Sequence, residues 1–530
     1  MLARMLGDRS APDSVVELTL ASPFRVRRRQ ALANARQVRD ASATRVGGLR
    51  LAGRRIGVGD RRGLLALFLL VWLSCAWFGS WEWNPNTATR MYAAVSLVED
   101  GDATIDEFAD LTIDKARFGS HTYLDKAPGM TLMALPAVAL ANAVSGERSG
   151  QFVKNFGDPA LGRFLRVRTR IAAAIGPALL TAVAAVLLFD LALSLGATGG
   201  AALFASLGYA LGTPVWGWST TLFGHAAVAA LYLVAAWAGM RAARPAYAAL
   251  AGAALGWAVA VEYQAVLAGS AIGLWIVWRL RGRPWPALAA FLGGGVAALL
   301  PLLGYNLVAF GTPFRLGYQG VVGWEGMNQG LFGLTAPSAT VLWEILFGVR
   351  RGLLWVAPVL VFAPLGLAML IGDRRTRASG VMAAAVAAIV LLVNAAYVYW
   401  DGGNSTGPRL AMPLAGLLAL GLAPYWDAVS RSGRAVAAAV LGTSIAINAA
   451  IASAEILAPP DFRFPVWSAV IDGRFRAGDL RTVANEWWGW SPWAGFALWA
   501  ALALPAIAWL WIRAGADRRD RAGPGSPGSS

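Results

Sequence analysis

A chain of 530 residues that is 57% hydrophobic and 14% charged, with a mean hydropathy of +0.53, excludes a soluble globular domain. Apolar runs of about 17–25 residues recur along it and mark an all-α polytopic membrane protein, and the alternating strands of a membrane barrel are absent. A single cysteine (Cys75) and two histidines (His121, His225) exclude a disulfide framework and a thiolate or His-based metal centre, and the net charge of +16 sits in arginine clusters that follow the positive-inside rule rather than a nucleic-acid surface.

Residues 1–62 form an Arg-rich arm (RVRRRQ, LAGRRIGVGDRRG), read as a disordered cytoplasmic tail on anionic lipid. Gly63–Ser80 is the first expected span, with Trp81 and Trp83 as interfacial anchors, so the loop that follows is periplasmic or external. Within residues 81–136 stand nine acids (Glu82, Glu99, Asp100, Asp102, Asp106, Glu107, Asp110, Asp114, Asp125) and four bases (Arg90, Lys115, Arg117, Lys126). Charged groups held beside a bilayer tend to bind or react, so this loop is read as the lid and wall of an active site. The segment TATRMYAAVSLV has apolar residues at helical spacing and is expected to lie flat on the interface.

A second span is expected from near Pro128 to a linker bearing Arg163, Arg166, Arg168 and Arg170, and a third over Ile171–Gly196. The glycine-broken stretch 199–216 is expected to enter the membrane without crossing, because dropping one crossing places the later Arg-bearing turns in the cytoplasm. Further spans fall near 219–240, 245–262, 263–279, 286–309, 353–371, 380–399, 410–426, 435–455 and 493–512, with both termini inside. The domains expected are the arm 1–62, a transmembrane module 63–455 with its first external loop at 81–127, an external loop or small cap at 456–492, and the last span with a basic tail at 493–530.

That topology puts several polar groups on one side: His225, Glu262, Tyr263, Tyr305, Asn306, Arg350, Arg351, Asp401, Asn404 and Arg409. Each alone reads as a cap, a paired charge or an interface residue. Together, acids on one wall and arginines on the other fit an anionic lipid-linked substrate, because Arg and Lys clamp phosphate oxygens.

The loop arginine in NPNTATRMY, the Lys-Pro entry YLDKAPGMTLMALP, and the later FGHA, EY, FGTPF…GY, RRGLLW and GNSTGPRLAMP resemble the GT-C glycosyltransferases, of the bacterial protein O-mannosyltransferase and aminoarabinose transferase type, over roughly residues 63–430. The resemblance implies a bundle of about 12 (11–13) transmembrane helices whose first external loop carries juxtamembrane helices. It implies transfer of a hexosyl or pentosyl group from a polyprenyl-phosphate donor to a lipid, glycan or protein acceptor, at the periplasmic face of a bacterial inner membrane. A loop carboxylate would be the general base, and Arg90, Lys126, Arg350, Arg351 or Arg409 would hold the donor phosphate. Asn86, His225, Glu262, Tyr263 and Asp401 would contact substrate.

In many relatives an acid stands three residues before the loop arginine; here that position is Thr87, with Asn86 beside it. The base then comes from Glu82, Asp114 or Asp125. Asp114 and Asp125 are favoured, each preceding a lysine near the membrane, although Asp125–Lys126 is also explained as a local ion pair or cap. No cofactor is required; a divalent metal, Mg or Mn, has its candidate acids in EDGD (Glu99–Asp102), which a helix end and a Gly turn explain equally well. Two other readings remain at this point, a transporter or flippase of lipid-linked sugars and an O-antigen ligase or polymerase-like enzyme.

Overall fold

Prolines and glycines decide where the apolar runs break and where they meet. The computed structural model describes residues 58–283 and 285–521; the Arg-rich arm before Val58 and the end of the basic tail lie outside them. The helices are α1 (Val58–Trp77), α2 (Pro85–Glu99), α3 (Gly129–Ser145), α4 (Pro159–Ala173), α5 (Leu179–Ser194), α6 (Gly199–Ala210), α7 (Gly224–Gly239), α8 (Pro245–Val261), α9 (Ala265–Leu280), α10 (Trp285–Phe310), α11 (Ala363–Gly372), α12 (Arg377–Ala396), α13 (Arg431–Ala454) and α14 (Pro492–Arg521). A π turn at Ala174–Ala178 carries Pro177, which has no N–H to give, and joins α4 to α5 as one 36-residue rod. Pro358 similarly breaks the passage Leu353–Gly372, and Arg409–Ala428 is bent by 45° between its two halves.

Among the described residues five helices are long and apolar enough to cross a membrane, or six if the bent pair counts as one span. Helices α7, α8 and α9 have 16, 17 and 16 residues, about 24 Å each, short of the ~30 Å hydrocarbon core. Helices α8 and α10 pack closely, with glycines bringing their backbones together. A Cβ at Gly252 would lie 1.9 Å from Phe291 O, and one at Gly256 2.4 Å from Gly295 O. Small residues serve this purpose in lipid, where apolar side chains gain little by leaving it.

The all-α polytopic class stands, but two expected topological features are corrected. The expected span at 128–145 does not cross. Thr131 Oγ1 of α3 donates to Arg90 O of α2 (3.1 Å), Asn142 Nδ2 donates to Glu99 Oε1 (2.8 Å), and Arg166 on α4 pairs with Glu82 at 2.8 Å. Both ends of α3, and the arginine linker after it, therefore belong to the same end of the bundle as the acidic loop. Conversely, the stretch after residue 198 does run from end to end. At its start Thr198 Oγ1 donates to Asp427 (2.6 Å); at its close Trp81 Nε1 donates to Thr220 Oγ1 (2.8 Å). The twelve residues of α6 are buried throughout. One crossing is lost and one gained, so among the described residues twelve passages still connect a loop end to a basic end.

The juxtamembrane helix α2 also differs from expectation. Eleven consecutive residues, Asn86 to Ser96, are buried, so it is enclosed by protein, against α3 and α4, instead of lying with one face in water. The segment 456–492 is ordered by a π helix (Val466–Phe475), a short helix (Val483–Trp488), and the pairs Arg474–Glu455 (3.0 Å) and Arg170–Glu486 (2.6 Å). A bridge from Thr482 to Phe78 fastens it to the end of α1.

Candidate functional site

At the loop end a cavity of about 160 Å³ opens among α2, the acidic loop, the caps of α7 and α8, and the loops 311–338 and 397–410. It gathers Asn86, Arg90, Asp114, Asp125, Lys126, His225, Glu262, Asp401 and Arg409, nine of the residues singled out in the sequence, from five separate stretches of chain.

Local rules place each of them. Asn84 caps α2, accepting from Asn86 N and Thr87 N, with Pro85 in the first turn. One turn on, Arg90 (1% exposed) donates to Asn86 O (3.1 Å) and Asn86 Oδ1, and pairs with Glu262 Oε1 at 3.1 Å. Glu262 reaches it because α8 ends at Val261 and the next residue turns extended (φ −145, ψ 118). Two glycines make room for that turn. A Cβ at Gly224 would lie 2.3 Å from Glu262 Oε1, and one at Gly129 2.5 Å from Ala260 O. The glycines of FGHA and KAPG are thus steric requirements of the site.

The acidic loop folds on itself before reaching the cavity. Strands β1 (Ala116–Phe118) and β2 (His121–Tyr123) form a hairpin, and Asp106 accepts from Thr122 N (2.6 Å) and pairs with His121 Nδ1 (2.6 Å). Past the hairpin, Asp125 is 1% exposed and pairs with Lys126, which also lies 3.7 Å from Asp114 Oδ2. Burial, with the Asp114 charge beside it, raises the Asp125 pKa above the usual carboxylate value, against the opposing pull of Lys126. For Lys126 burial pulls the other way, but Asp114 and Asp125 together outweigh it and hold the ammonium charged. Asp125 Oδ1, Arg90 Nε and Arg409 Nε have no hydrogen-bond partner among the described residues although buried. A buried polar atom left unpaired costs about 1–3 kcal/mol, so these three are the atoms of the cavity that gain most from a bound polar group.

Arg409 is the distinctive member. Its guanidinium lies 4.7 Å from the Phe223 ring and 5.9 Å from Trp218, and no carboxylate pairs with it among the described residues. Arg90, Lys126 and Arg350 each have an acid partner; this cation is uncommitted and faces the cavity.

Not every expected residue lines the cavity. Glu82 is engaged by Ser80 Oγ (2.7 Å) and Arg166 Nε (2.9 Å) outside it. Arg350 pairs with Asp401 Oδ2 at 2.6 Å, holding that acid from behind. Arg351, 1% exposed, donates to Asp401 O (2.8 Å) and Gly403 O (2.6 Å) and so shapes the 401–403 turn. Tyr263 packs edge-on to Tyr318 at 5.1 Å. In EDGD, Glu99 accepts from Asn142 and Ser149, and Asp102 from Thr104. Among the described residues no three His, Cys, Asp or Glu side chains converge as metal ligands.

The sequence reading missed the aromatic lining of the cavity: Tyr318, Trp324, Tyr397 and Tyr399, with Met327, Gln264 and the glycines 402 and 403. Trp324 meets Tyr399 edge-on at 5.3 Å, and Tyr399 OH accepts from Gly326 N (2.9 Å). The signal was YVYW immediately before Asp401, and WEGM in a loop that carries no charge pattern. A smaller adjoining cavity shares His225, Glu262 and Gln264 and is otherwise lined by apolar groups such as Val228, Val390 and Pro413.

No family model and no curated protein sequence matches this chain. Among solved structures it is similar to the crystal structure of ArnT from Cupriavidus metallidurans bound to undecaprenyl phosphate, and to that of ArnT from the same organism in the apo state. Each comparison covers 86% of this chain and 77% of the other at 14% identity, with a TM-score of 0.44.

Proposed function

We propose that this protein is a membrane glycosyltransferase that moves a hexosyl or pentosyl group from a polyprenyl-phosphate donor to a lipid, glycan or protein acceptor at the external face. The observation that carries the reading is the uncommitted Arg409 guanidinium, in one cavity with the Asp114–Lys126–Asp125 cluster. An unpaired cation suits the donor phosphate; a neighbouring carboxylate suits the acceptor proton.

In this reaction the bond between the anomeric carbon and the phosphate oxygen breaks as the acceptor oxygen or nitrogen bonds to that carbon. The acceptor proton goes to Asp125 or Asp114, and the leaving phosphate keeps the electron pair. Arg409 and Lys126 stabilise that developing charge, an electrostatic contribution worth about 10²–10³ in rate per donor group. Arg90, locked by Glu262 and Asn86, fixes the wall between them. The aromatic lining offers faces for the sugar, and the adjoining apolar cavity offers hydrocarbon to the donor's first isoprene units.

The test is release of polyprenyl phosphate from synthetic polyprenyl-phosphate sugars by the purified protein. Wild type releases it with at least one sugar, and Arg409→Gln loses about 10²-fold or more. No release from any donor, together with movement of intact donor across liposome membranes, would replace this reading with a transporter.

A further inference from the structure

At the basic end, opposite the cavity, the last half of α9 and the first half of α12 leave a groove of about 580 Å³ between them. The two helices pack together, yet Leu274 and Val381 on its floor are 70% and 49% exposed. Trp275 and Trp278 form one wall, and Arg374 and Arg377 form the rim. No carboxylate lines it. Arg374 makes no ion pair or side-chain hydrogen bond among the described residues, and Arg377 gives only its Nε to Ile371 O (3.0 Å). Asp373, the acid next to the rim in sequence, accepts from Arg375 N (3.0 Å). Arg279 and Arg281 stack on the two tryptophans at 5.1 Å each and add to the positive field.

The dimensions are those of one leaflet. From Arg377 to Ala385, the deepest lining residue of α12, the helix rises about 12 Å, close to half of the ~30 Å hydrocarbon core. Tryptophans and arginines at this depth mark the membrane–water boundary. Gln264 of the cavity lies at the other end of α9, so the groove is a separate place on the molecule.

We propose that this groove holds one anionic phospholipid, its phosphate against Arg374 and Arg377 and an acyl chain along Leu274 and Val381. Charge complementarity selects the occupant. The ammonium of a zwitterionic headgroup would find no carboxylate in the groove lining, whereas a phosphodiester bearing net negative charge meets two guanidinium forks suited to it.

The experiment is native mass spectrometry of the full chain, delipidated and then titrated with phosphatidylglycerol or phosphatidylcholine. Wild type is expected to retain phosphatidylglycerol preferentially, and Arg374→Gln with Arg377→Gln to weaken that retention roughly 30-fold. The Arg374→Lys, Arg377→Lys protein keeps the charge and is expected to keep the preference, which separates loss of the rim from loss of folding. Leu274→Trp fills the floor and is expected to reduce retention with both arginines present. Equal retention of the two lipids by wild type overturns the proposal, as does a preference that survives the double glutamine substitution.

Discussion

Whether a carboxylate in this cavity acts as a base depends on its surroundings. Asp125 is enclosed, carries an unpaired oxygen, and has its pKa raised by burial and by Asp114. If Asp125 takes the acceptor proton, it must be ionised, so the acid limb of the kcat/KM profile lies above the ordinary carboxylate value of about 3.9. Asp114→Asn removes a neighbouring negative charge that raises the Asp125 pKa, so the limb moves to lower pH in that variant. A limb that stays put in Asp114→Asn, measured over pH 4–8, would take the role from Asp125. The residue types of the site were legible because acids are rare beside apolar spans. The partners were not: Asp125–Lys126 is adjacent in sequence, but Glu262 meets Arg90 across 172 positions, a distance that no local pattern encodes.

Among the elements, glycines control the approach of helix ends. Gly224 begins α7 directly against Glu262. Gly224→Ala would place a methyl carbon where the carboxylate now sits, an overpacking cost of about 1–3 kcal/mol. The expected outcome is a lower thermal midpoint together with loss of turnover, because Glu262 no longer positions Arg90. An alanine variant with unchanged midpoint and turnover would show that the contact is not required. The helices themselves were readable from apolar runs, but not all of their ends: the rod expected from Ile171 begins at Pro159, because the arginines of its first turns read as a linker. Where apolar runs failed was α3: its composition is as apolar as a span, with no acid or base within Gly129–Ser145, and its packing on α2, with hydrogen bonds to Arg90 and Glu99, has no signature in that composition. Likewise the arginines of α4 looked like a cytoplasmic turn, yet Arg168 is buried on Asn142 and the Phe164 ring. Pairing overrides the positive-inside tendency when acids are at hand.

For the whole molecule these two errors offset one another: a false crossing at 128–145 reversed the expected direction of the passage over 171–196, the omitted crossing at 199–220 restored the count, and every passage after residue 220 kept its direction. The corrected path is testable by side-specific labelling of single cysteines in sealed vesicles. Ile113 and Val153 are exposed, at 62% and 74%, and flank α3. Cysteines placed at these two positions are expected to react from the same side, opposite to one at Arg281. Labelling of the residue-153 cysteine from the side that labels the residue-281 cysteine would restore a crossing through α3. The native Cys75 is buried and its thiol is not a competing target.

The most direct test of the central claim compares wild type with Asp114→Asn and Asp125→Asn for release of polyprenyl phosphate, each variant checked by its thermal midpoint. The account predicts that wild type turns over at least one donor sugar, and that one of the two variants loses on the order of 10²–10⁴-fold activity while remaining folded. Full activity in both would contradict it, and would leave Glu262 and Asp401 as the remaining carboxylates in the cavity.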